Sequence, residues 1–192
     1  MHLKWRLPVD EGFTLIELLI ALAVFAILIV IAGPMYAQYM ANTRVRNAVE
    51  ISLDGVRLAQ QEAIKQNILA QFVLTPTVGW VAQVQDENNP TGTYLLLQQY
   101  NMTEGAARVN LTTHPAGAAT VTFNGLGRVV PNPDATASLS WIYADSPDGN
   151  RPLILVINAT DAAVTTFTGV KLCDPDPGVA VGDPRHCPAL TP

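Results

Sequence analysis

Gly12-Phe13-Thr14-Leu15-Ile16-Glu17-Leu18-Leu19-Ile20 opens a run in which every residue from Leu18 to Ala37 is apolar except Tyr36. Gly33 and Pro34 are its helix-weakening positions, and no charge follows Glu17 until Arg44. At about 1.5 Å of rise per residue, this supplies the ~20 residues that a bilayer core demands. Lys4 and Arg6 precede it, so the positive-inside rule leaves Met1 in the cytoplasm and everything after about Tyr39 outside, which in a Gram-negative bacterium is the periplasm. A cleaved secretory signal would be shorter and end at an Ala-x-Ala site, and a soluble core helix would carry polar positions. A plain single-span anchor shares the same hydropathy, and Glu17 is the residue that argues for something more.

A carboxylate within an apolar span costs ~2.5–3.5 kcal/mol on insertion scales, less near the end, so it needs a partner or a role. No Lys or Arg lies within a turn or two of Glu17. Cutting the chain between Gly12 and Phe13 would create the missing cation, because the new α-amino group would sit four residues away, one turn along the same helical face. In a packed filament the carboxylate could equally meet the amine of a neighbouring subunit, which would reward correct axial register.

The same nine residues resemble the prepilin cleavage and methylation motif of type IV pilins and type II secretion pseudopilins. Pro34 stands where that family places its helix proline. The resemblance implies a short cytoplasmic leader, cleavage between Gly12 and Phe13 and N-methylation of Phe13 by a prepilin peptidase. It also implies a role for Glu17 in filament assembly and insertion first into the inner membrane, then into a pilus or pseudopilus. The partners implied are the peptidase, other minor and major pilins or pseudopilins, and an inner-membrane assembly platform.

Proline at position 34 removes a backbone donor and clashes with the carbonyl four residues back, so the helix is expected to bend or loosen there. In filament families this resembles the point where the helix can stretch during polymerisation; the plain alternative is a passive kink. Beyond it, Val45, Val49, Leu53, Val56, Ala59 and Ala63 recur every three or four residues between charged positions, predicting an amphipathic continuation to about Asn67. The pattern then changes to short β-rich runs at 68–75, 79–85, 94–100, 109–112, 120–124, 138–144, 153–158 and 164–172. Turn clusters around Pro90, Pro131–Asp134 and Ser146–Gly149 punctuate them. The expected fold is α+β: one long N-terminal helix packed on an antiparallel β-sheet domain, pilin-like. Its expected parts are a leader (1–12), a transmembrane half-helix (13–37), an amphipathic half-helix (38–67) and a periplasmic β domain ending in a disulfide loop (68–192).

Two further stretches, Ser52–Gln60 followed by Glu62-Ala63-Ile64, and Thr122–Val129, resemble the GspH/FimT group of minor pseudopilins and minor pilins. Gly125-x-Gly127 in the second lacks the third glycine and the helix of a dinucleotide site, so it reads as a β-turn. Cys173 and Cys187 form an even pair in an exported chain, which predicts a disulfide. The loop between them is rich in Asp, Pro and Gly, so little else would order it. Such a stapled loop also resembles minor pilins of the FimT/FimU type. His186 with the cysteines, or Asp174, Asp176 and Asp183, could be imagined around zinc or calcium. The spacing fits neither a zinc ribbon nor an EF-hand, and no metal or other cofactor is expected.

His114 and His186 sit in no nucleophile or acid–base motif, so no enzymatic activity and no catalytic residue is expected. The chain of 192 residues carries 49% hydrophobic residues, a share that the membrane segment accounts for, and a formal net charge of -5. Removing the leader leaves that balance unchanged, since Lys4 and Arg6 go with Asp10 and Glu11.

Three readings follow from the resemblance: a minor pilin at or near the tip of a type IV pilus, helping to initiate assembly; the corresponding minor pseudopilin of a type II secretion system; and a DNA receptor. The N-terminal motif does not divide the first two, and the stapled loop favours the pilus. Some pilins of the FimT-like group that the chain resembles bind DNA through a basic Gly-Arg-x-Arg segment just before the C-terminal cysteine. This chain reads Thr168-Gly169-Val170-Lys171-Leu172-Cys173 there. From Tyr39 onward nine Lys and Arg face thirteen Asp and Glu, a net of -4. Nucleic-acid binding would rest on a weak cluster of Lys171 and Arg185 and is therefore disfavoured.

Overall fold

The computed structural model describes residues 12–75, 79–89, 92–102, 108–157, 169–176, 178–180 and 182–187. The leader up to residue 11, Asn158, the expected strand positions 164–168, and Pro90 lie outside these residues. The chain divides into two compact units, Met1–Ala37 and Gln38–Pro192.

Helix α1 spans Leu15–Gln66 and continues through Gly33 and Pro34, so the expected loosening does not interrupt it. Glu17 in its first turn and Lys65 in its last suit the helix dipole. It stops where Asn67 turns left-handed at φ 54°, a conformation asparagine tolerates better than most residues. Among the described residues α1 is the one helix long and apolar enough to cross a membrane. Its side chains from Leu15 to Tyr39 are exposed.

In the second unit, α1 buries Ala41, Val45, Ala48, Val49, Ser52, Gly55, Val56, Ala59 and Ala63. The predicted stripe is present, but Leu53 is only half-buried and the close contacts belong to the small residues between the valines. Small side chains let sheet residues approach the helix: a Cβ at Gly55 would stand 2.8 Å from ring atoms of both Phe72 and Trp80.

The β residues form two antiparallel sheets, as the expected antiparallel β domain allows. Strands β1 (Ala70–Thr75), β2 (Gly79–Gln85), β3 (Tyr94–Asn101), β5 (Thr120–Phe123) and β6 (Val129–Val130) form a sheet in the order β3-β2-β1-β5-β6. Strands β4 (Asn110–His114), β7 (Trp141–Asp145), β8 (Leu153–Val156) and β9 (Lys171–Cys173) form a second, in the order β4-β7-β8-β9. Strand β6 has no counterpart among the expected runs. The 138–144 run becomes a strand only from Trp141, with Ser138 making an isolated bridge to Thr120.

One apolar core joins the helix stripe to Phe72, Leu74, Trp80 and Phe123 of the first sheet and to Ile142, Ala144 and Leu155 of the second. The other face of the second sheet carries Trp141, Ile154, Val156 and Cys173, a smaller cluster against which Cys187 packs. Both faces of β8 are therefore buried, which explains its unbroken Leu-Ile-Leu-Val sequence. The other face of the first sheet holds a polar ladder. Gln83 donates to Gln71 (2.9 Å), Gln71 to Thr122 (3.1 Å), and the Thr122 hydroxyl to Asn132 Oδ1 (2.8 Å). Asn132 Nδ2 then donates to Thr120 O and the Thr136 hydroxyl, pinning the 131–137 loop over the sheet.

Candidate processing and assembly site

The helix begins two residues past the expected scissile bond, at Leu15. Gly12, Phe13 and Thr14 are not helical, Phe13 is 88% exposed, and a side chain at Gly12 would meet nothing within 4 Å. Thr14 is the N-cap of α1: its hydroxyl accepts the Glu17 N–H at 3.3 Å, and its carbonyl accepts the Leu18 N–H at 3.2 Å. Thr14 and Glu17 thus stand in Thr-x-x-Glu capping-box order. The spacing was readable in the sequence, but the attention Glu17 draws as a membrane carboxylate hides it. In the uncut chain α1 begins at Leu15, two residues after Phe13.

In the second unit, Cys173 and Cys187 are joined by a disulfide, with Cα atoms 5.0 Å apart. That bond takes both thiols, so no zinc-binding thiolate is left. Among the described residues no group of three or more His, Cys, Asp or Glu is arranged to hold a metal ion. Inside the loop, Asp174 N–H donates to Arg185 O at 2.7 Å, and His186 Nδ1 lies 3.1 Å from Val179 O.

Lys171 and Arg185 do not form an open basic cluster. Lys171 Nζ donates to the carbonyl of His186 at 3.0 Å, holding β9 to the loop. Arg185 is paired with Asp183 through Nε (3.2 Å) and a terminal nitrogen (3.0 Å). The Arg185 side chain, and next its backbone N–H, hold the Asp183 carboxyl down to about 2. Arg185 also borders a cleft of about 580 Å³ whose lining balances Arg151 and Arg185 against Asp174 and Asp176.

The Gly125-x-Gly127 segment is a tight connection between β5 and β6. Asn124 Oδ1 accepts the N–H groups of Leu126 and Arg128. Gly127 takes φ +71°, and a Cβ there would stand 2.7 Å from Ile64 Cδ1, while Gln60 of α1 donates to the Gly127 carbonyl at 2.8 Å. The motif seats the turn on the end of α1.

Comparison with known proteins agrees with both halves of this description. Residues 9–33 match the prokaryotic N-terminal methylation motif, and residues 53–161, more than half of the chain, match the family described as type II transport protein GspH. A fimbrial protein of Pseudomonas aeruginosa is 31% identical over 113 residues, covering 51% of this chain and 73% of that protein. The type IV major fimbrial protein FimA of Dichelobacter nodosus is 43% identical over 49 residues, 26% of this chain and 30% of that protein. Among solved structures, the type IV minor pilin FimU of Pseudomonas aeruginosa aligns with a TM-score of 0.44 and 18% identity, over 62% of this chain and 86% of that one.

Proposed function

The chain belongs to the GspH family and carries the N-terminal methylation motif, and from that premise we propose that it is a minor pilin, incorporated at or near the tip of a type IV pilus, where it helps to initiate assembly. The observation that carries this reading is one continuous α1, whose exposed apolar half begins at a capped, accessible prepilin junction and whose other half is built into a β body. Such a chain can add to a bundle of similar helices while presenting its body outside. Pilin-type families are structural, and the role proposed here is that of a filament component with no catalytic step.

In this reading a prepilin peptidase cuts between Gly12 and Phe13 and methylates the new amine. Glu17 then pairs with an α-amino group, its own or a neighbour's, and Pro34 marks where the span can stretch. The precursor sits in the inner membrane with a cytoplasmic N-terminus and a periplasmic body, and it meets the assembly platform and the other pilins there. The fimbrial relatives and the stapled loop favour a pilus. The GspH description favours the second reading, a minor pseudopilin of a type II secretion system. DNA uptake is the weakest reading, because Lys171 and Arg185 are both engaged within the loop.

The deciding experiment deletes the gene in its native bacterium, then counts surface pili and assays secreted enzymes in the same cultures. Lost pili with normal secretion would establish the minor pilin. Retained pili with exoproteins trapped in the periplasm would make it a pseudopilin.

A further inference from the structure

Among the described residues, strand β3 (Tyr94–Asn101) is the outermost strand of the first sheet and, at eight residues, the longest. It carries no charged residue and no proline. Leu95, Leu96 and Leu97 are exposed by 52%, 59% and 36%. Leu95 pairs with Val84 and Leu96 with Gln83, so these two side chains leave opposite faces of the sheet and flank the edge with hydrocarbon on both sides. Edges of this kind are ordinarily blunted by shortness, lysine or proline. The other edge of this sheet, β6, is blunted by its two-residue length. A register shift beside Leu97 bends β3 but adds no charge.

We propose that β3 is a docking edge that takes, by strand addition, an uncharged extended segment of a different membrane-anchored filament subunit. The proposal rests on the filament-subunit reading above. Backbone N–H and C=O groups along an edge supply the attachment, and the leucines on either face select apolar or amide side chains. A charged side chain opposite them would lose hydration without gaining a partner. Area decides the kind of occupant. One added strand of this length covers far less than the ~1,000 Å² that a stable complex of free proteins requires. A neighbour tethered in the same bilayer works at roughly millimolar effective concentration, and α1 is such a tether on this side. A second copy of β3 is a poorer occupant. Antiparallel self-pairing about the strand centre would set the two irregularities at Leu97 against each other.

The test uses the full-length chain in its native bacterium, with a photo-crosslinking amino acid at Leu96 and a control probe at Asn110 on the edge strand β4. An adduct from position 96, and not from 110, to another subunit with its own N-terminal span is the expected result. Leu96→Lys, read with the probe moved to Gln98, should cut that adduct about tenfold while leaving the melting temperature unchanged. No adduct at position 96, although sheared filaments contain the protein, overturns the proposal. An adduct only to a soluble protein or to a second copy overturns the stated occupant. The expected adduct in membranes, with the protein absent from filaments, supports the docking edge and rejects the tip role.

Discussion

Replacing Gly55 by alanine tests whether the close seat of the sheet on α1 is a real constraint. In an unstrained helix interior the change would stabilise by about 1 kcal/mol, because glycine loses more backbone freedom. Here the new methyl would stand 2.8 Å from Phe72 Cε2 and from Trp80 Cδ2 and Cε2. Ordinary contact begins near 3.4 Å, so both rings would have to retreat by about 0.6 Å. Neither has room: Phe72 is 0% and Trp80 4% exposed, and Trp80 is further held by Tyr100, with ring centroids 6.2 Å apart. Overpacking of this kind costs about 1–3 kcal/mol, leaving a net loss of up to ~2 kcal/mol after the propensity gain. The assay is thermal unfolding of the full chain in detergent, followed by circular dichroism, within a double-mutant cycle with Trp80→Phe. Shortening the indole should relieve the clash, so the two changes should couple by about 1 kcal/mol or more. A higher melting temperature for Gly55→Ala, or additivity within ~0.5 kcal/mol, would refute the reasoning.

Asn132→Ala should cost about 1–3 kcal/mol in the same melting assay, since it removes the acceptor of the buried Thr122 hydroxyl proton and frees the 131–137 loop; a loss under ~0.5 kcal/mol would mean the ladder contributes nothing. Asp183, depressed from 3.8 to about 2, should titrate near pH 2 by NMR, so the Asp183–Arg185 pair is intact above pH 4 and lost as pH falls through about 2. An Asp183 midpoint near the ordinary carboxylate value would show the pair is not formed in solution. Cys173→Ser removes a cross-link of sequence separation 14, for which loop entropy predicts about 3 kcal/mol, and should raise protease cleavage within the loop. Digestion that is the same with and without reductant would count against it. Glu17→Ala should leave membrane insertion intact and lower the amount of protein in sheared filaments; normal incorporation would sink the charge-pairing account.

What the chain discloses without its fold is what local pattern controls. The span from Leu18 to Ala37, the Val45–Val49–Val56 stripe and the limits of β2 follow from unbroken apolarity or from simple periods, and the structure has them there. The division of the β residues into two sheets does not follow from any period. It depends on β5 returning to β1, where Thr122 meets Gln71, and on a face whose buried groups are glutamine, threonine and asparagine. Read singly these are surface residues, and only their mutual hydrogen bonds make burial affordable. Trp141 is hidden in the same way, since it turns away from the main core into the cluster with Ile154, Val156 and Cys173 and stacks on the His114 ring.

At the processing site the outcome is mixed for an informative reason. Glu17 has a local task in the helix cap and, on the proposed reading, a remote one in pairing with an amine, and the sequence discloses the costlier of the two. As the third residue of α1 it belongs to the Thr14 cap, whose hydroxyl takes its N–H. As a carboxylate at the head of an apolar span it calls for a cation. On the proposed cleavage after Gly12 the cap survives, because Thr14 becomes the second residue of the new chain and keeps its hydroxyl. Helix order at Leu15 would then be the same before and after the cut, while the new amine appears on Phe13, a residue the helix does not hold. An amine on an unheld residue can swing to its own carboxylate or reach a neighbour's, which is the freedom that joining subunits requires.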